Sequence, residues 1–195
     1  MTDTTPAIQE LKTRAEILHH RIEARDPVAI ARLRVLPQFR RLSKSPGPLE
    51  DQLANAAASI RRSDCLTVIA LELGFSNWPQ ASRVISGATA DGDPQPMDFG
   101  TLLCPRTSGA HLNRWYRTHE EAVNDQARSE SRGYLLGYRH QFMVVDRYYV
   151  AEVLRLDPDD PAWEAIGFDW VRPKDSAART RLYAKLVAQL PRVLA

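Results

Sequence analysis

Cysteine is scarce in this chain: Cys65 and Cys104 are the only two among 195 residues. That is too few for a secreted disulfide framework and points to a reducing compartment, so a cytoplasmic location is expected. Long apolar runs are missing as well. None approaches the ~20 residues of a membrane span, and no membrane association is expected. The opening stretch Met1-Thr2-Asp3-Thr4-Thr5-Pro6 has neither the charged nor the apolar region of a signal peptide. There is no excess of one charge, with 26 Lys+Arg against 24 Asp+Glu and a net +2, which gives no reason to expect a highly charged partner. The short catalytic signatures are also absent: no phosphate loop, no G-x-G-x-x-G, no H-E-x-x-H, no C-x-x-C and no G-x-S-x-G. No cofactor and no metal are expected, and enzyme classes without such signatures stay open.

What is present is globular. Apolar residues make up 44% and charged residues 26%, and a chain of this length buries roughly 70% of its unfolded surface. Residues 87–96 carry Gly, Pro and small side chains without periodicity, the mark of an exposed connection. The division that follows is a helical module over residues 1–88, a linker over 89–97 and an α+β domain over 98–195. Before Gly87 there are 12 basic and 9 acidic residues; from Gly87 onward there are 14 and 15. The asymmetry is too mild to argue nucleic acid by itself.

The first part reads as an all-helical bundle. Ile8, Leu11, Ala15, Leu18 and Ile22 form one stripe at helical spacing, with Pro6 at a first helical position and Ile17 on the opposite face. Asp26-Pro27 starts a short helix that Pro37 should end by Leu36. Residues 49–60 resume a helical pattern. Ser63 is placed to cap a helix over 64–73 closed by Gly74, and Asn77 the next, with Gln80 in the capping-box position and Gly87 at its end.

The second part mixes periods and reads as α+β with a short sheet. Residues 99–104 look like a strand that stops at Pro105. Thr118-His119-Glu120-Glu121 is a capping box for a helix over 119–132. Residues 134–136 and 142–145 look like strands, Asp146 can cap a helix, Asp160-Pro161 starts another turn, and Leu182, Tyr183, Leu186, Val187 and Leu190 mark an amphipathic C-terminal helix.

Ala70, Glu72, Gly74, Phe75, Trp78 and Pro79 form an A-x-E-x-G-F-x-x-W-P pattern. Over residues 6–86 the chain resembles a small helical module found near the N-terminus of some bacterial ankyrin-repeat and related proteins. The resemblance implies a module attached to something else and carries no catalytic residues; no 33-residue repeat follows it here. The same run invites a helix-turn-helix reading, but Gln80 and Arg83 stand where that motif needs apolar packing.

Candidate binding residues follow the apolar segments. Arg106, Ser108, His111 and Asn113 lie in a glycine-bearing loop after residues 99–104, and Tyr138, Arg139 and His140 lie between the later strands. Such a set suits a polar or anionic small ligand. Strict alternation puts Tyr138, His140, Phe142 and Val144 on one face; with that face buried, His140 is a core histidine or a pocket residue. Cys104 is read as a buried strand cysteine, with Arg106 and His111 near enough in sequence to activate it. Arg32, Arg34, Arg40, Arg41 and Lys44 form the basic cluster that would meet phosphates, against the plainer reading of a solvated loop.

Three functions therefore stand side by side. The first is a non-enzymatic protein-interaction or regulatory module whose partner is another protein. The second is a small-molecule binder or enzyme built on the 105–116 loop with residues 138–141. The third, and the least expected, is nucleic-acid binding through the basic cluster.

Overall fold

The stripe on the first helix decides what it packs against. In the computed structural model, α1 (Pro6–Glu23) starts where the Thr5 hydroxyl accepts from the Ile8 N–H, and it buries Ile8, Leu11, Ala15, Leu18 and Ile22. The structure describes residues 5–40, 57–87, 97–105, 108, 111–128 and 133–190. Ile17, off the stripe, is 40% exposed. Asp26 caps α2 (Pro27–Arg32), which tightens into a 3-10 turn (Leu33–Val35). Pro37 does not simply end that helix; it opens the short α3 (Pro37–Arg40), because proline's fixed φ suits a first helical position. Of the helix expected over 49–60, only the 3-10 turn Ala57–Ser59 falls within the described residues.

Helix α4 (Arg62–Glu72) begins earlier than expected. The Asp64 carboxylate accepts the Arg61 N–H at 2.8 Å, so Asp64, not Ser63, closes the N-terminus. Asn77 caps α5 (Trp78–Ile85) by accepting from the Gln80 N–H at 2.9 Å. The Gln80 amide, however, accepts from Ser76 and not from Asn77. Helix α1 packs against α4, which contributes Cys65, Val68, Ile69 and Ala70 to the core.

The remainder is built around a three-stranded antiparallel sheet, giving an α+β fold with its helices concentrated in the N-terminal part. β1 (Arg114–Tyr116) lies beside β3 (Gln141–Val145), and β3 beside β2 (Tyr134–Tyr138), with Trp115 opposite Met143 and Leu136 opposite the other side of Met143. β1 was not legible in the sequence, since three residues with two exposed side chains carry no period. Helix α6 (His119–Arg128) covers the Phe142 and Val144 face; residues 129–132 of the expected helix lie outside the described residues. On the other face Tyr134 meets the indole of Trp163 in α7 (Pro161–Ala165), which Asp160 caps through the Ala162 N–H. Asp146 accepts from the Tyr149 N–H, and the chain then widens into a π turn (Tyr149–Val153) where a regular helix was expected.

Residues 99–104 are not a strand. Gly100 sits at φ 66°, its N–H taken by the Asp98 carboxylate, so the segment bends after two backbone bonds to Arg139. The final helix α8 (Ser176–Gln189) buries Leu182, Tyr183, Leu186 and Val187 and lies on α1. One continuous cluster of buried side chains runs from Ile8 and Leu11 through Phe75 and Phe99 to Trp163 and Val187. The expected linker falls outside the described residues except for Met97, which is buried.

Gly74 marks where the helical part docks on that bend. Its φ is 82°, and a Cβ there would stand 2.4 Å from the Thr101 Oγ1, whose N–H bonds the Leu73 carbonyl at 2.9 Å. Gly74→Ala should lower unfolding free energy by about 1–3 kcal/mol, through left-handed strain and the clash. Urea midpoints of the two proteins measure it; an unchanged midpoint would mean the Gly74 turn does not need this close approach.

Candidate functional site

The described members of the expected binding set fall into two groups at opposite ends of β3. Ser108, His111 and Asn113 gather at the end where β3 runs into the π turn. Ser108 is buried, with its Oγ 3.2 Å from the Cys104 Sγ. The His111 ring meets the Tyr149 ring edge-on at 5.4 Å, and its Nε2 is 3.7 Å from a carboxylate oxygen of Glu152. Asn113 is half-buried and donates its backbone N–H to the His111 carbonyl at 3.1 Å. Arg106 lies outside the described residues.

Tyr138, Arg139 and His140 sit at the other end, roughly 16 Å away along a five-residue strand. There Tyr138 pairs with Gln141 and closes a two-residue turn in which Arg139 adopts φ 52°. His140 is exposed, so it is not the core histidine that strict alternation allows. Alternation holds along one strand; the reversal at the turn takes His140 out of both strands. The Arg139 guanidinium donates to the Gly74 carbonyl and lies 3.6 Å from Asp98, so it braces the fold.

Cys104 is half-buried in a turn, not buried in a strand. Its cluster gains Tyr149, which the sequence did not single out: the phenol donates to the Leu103 carbonyl at 2.8 Å. Burial, with Cys104 beside it, holds the Tyr149 hydroxyl far above its ordinary range, so it stays protonated. Cys65 contrasts with Cys104. It is fully buried in α4, and burial together with Asp64 pushes its thiol up to about 11.

A second polar pair, also missed, joins α6 to the loop before α8. His119 Nε2 and Asp169 Oδ2 are 2.7 Å apart, and the other Asp169 oxygen accepts the Val171 and Arg172 N–H groups at 2.9 Å each. The pair is 50 residues apart in sequence, which is why no spacing argument finds it. Among the described residues no three His, Cys, Asp or Glu side chains cluster as metal ligands.

Two side chains of the basic cluster, those of Arg32 and Arg34, fall within the described residues. Arg32 makes a two-pronged bond to Glu72, at 2.9 and 2.7 Å, with both side chains nearly buried. Its charge is therefore spent inside the protein. Arg34 is exposed and donates to the Ala31 carbonyl at 2.7 Å. The Arg40 side chain, Arg41 and Lys44 lie outside the described residues. The Arg32–Glu72 pair borders an open groove of about 510 Å³ walled by Val28, Ala31 and Val35.

The sheet supplies a further feature. Among the described residues β1 has a backbone partner on one side only, β3. The far edge of β2 is engaged by residues 168–170 and, at the hairpin end, by residues 99–100. At the open edge Trp115 is 45% exposed; Leu112 just before it is fully exposed and Tyr148, beyond β3, is 64% exposed. No family model, no curated protein and no solved structure matches this chain. Among the described residues no helix is long and apolar enough to cross a membrane.

Two outcomes check this layout. Iodoacetamide should add one group, at Cys104, to the native protein and a second, at Cys65, only on unfolding, because a buried neutral thiol is a poor nucleophile. Mass spectrometry reads the sites, and equal labelling of both would contradict the burial of Cys65. Arg32→Ala and Glu72→Ala should show a coupling of about 1–3 kcal/mol in a double-mutant cycle of unfolding free energies, as a largely desolvated ion pair does.

Proposed function

We propose that this chain is a non-enzymatic protein-interaction or regulatory module that engages another protein chain through the open edge of β1. The observation that carries this reading is Trp115, 45% exposed on a strand that lies, among the described residues, at the edge of the sheet beside β3. A row of free N–H and C=O groups is a template for a further strand, and large exposed apolar side chains mark contact surfaces. The pattern at residues 70–79, which resembles a module carried beside other domains, is in keeping with it.

The two other readings have less behind them. The ligand set is divided between the two ends of β3, and Arg32 of the basic cluster is already paired with Glu72.

The test uses tagged chain in cells that also express an untagged copy, with a lysate pull-down. Wild type should recover a stoichiometric protein, whether the untagged copy or another chain, and Trp115→Glu should lose at least about tenfold of it, as loss of an aromatic anchor does. A wild type that recovers nothing, or a Trp115→Glu protein that recovers as much, counts decisively against the reading.

A further inference from the structure

We draw no further inference here: the strongest candidate, the side-chain cluster of Cys104, Ser108, His111 and Tyr149 where β3 runs into the π turn, rests on one cysteine and on contacts within the cluster itself, and no second observation among the described residues points to a ligand there.

Discussion

Three helix ends in this protein leave carbonyl groups that an arginine from the other part of the chain reaches. Arg14, buried in α1, donates to the Val187 and Leu190 carbonyls at the end of α8, at 3.1 and 3.3 Å. Arg179, fully buried in α8, donates to the Gly87 carbonyl beyond α5 and to the Trp170 carbonyl. Arg139, in the hairpin turn, donates to the Gly74 carbonyl beyond α4. A helix C-terminus presents unsatisfied carbonyls and a negative partial charge, and a guanidinium offers several donors in a fixed fork. Each arginine therefore meets a need that helix geometry itself creates. Together they bind the helical segment to the sheet segment by contacts 65 to 176 residues apart.

The rest of the architecture follows from that constraint. With the Gly74 carbonyl held by Arg139, the Leu73 carbonyl is left for Thr101, and residues 99–100 are drawn onto the hairpin through backbone bonds to Arg139. Phe99 then lies over Gly137, where a Cβ would stand 2.4 Å from its ring. The hairpin is thereby anchored at its turn, and β2 is closed off on its outer side. Only β1, at the opposite side of the sheet, keeps an unpaired edge among the described residues. Which edge of the sheet is left without a strand among the described residues is thus tied to how the helical part is docked. It is held on a strand whose neighbours Met143 and Val144 are buried in the core.

The polar clusters carry a related lesson. Tyr149 and Glu152, both in the π turn after Asp146, meet the cluster of Cys104, Ser108 and His111: the Tyr149 phenol donates to the Leu103 carbonyl and the Glu152 carboxylate lies 3.7 Å from the His111 imidazole. Four residues of the pattern at residues 70–79 have a structural account. Glu72 holds Arg32, Gly74 allows the approach of Thr101, Phe75 is buried, and Pro79 stands in the first turn of α5.

What the sequence by itself determined is local. The stripe of α1 with Pro6 in its first turn, the caps at Asp26, Asn77 and Asp160, the hairpin strands and the buried face of α8 all rest on neighbours within a turn or on a simple period. Such interactions are written in adjacent residues, and they read correctly. The tertiary structure alone decided the rest. It turned 99–104 from an apparent strand into a bend, took His140 out to solvent, spent Arg32 on Glu72, paired His119 with Asp169, and made a strand of Arg114–Tyr116. His140 is displaced by the two-residue turn beside it; each of the others depends on a partner far along the chain, and a carbonyl, carboxylate or strand edge offered from that distance leaves no mark in the residues beside it.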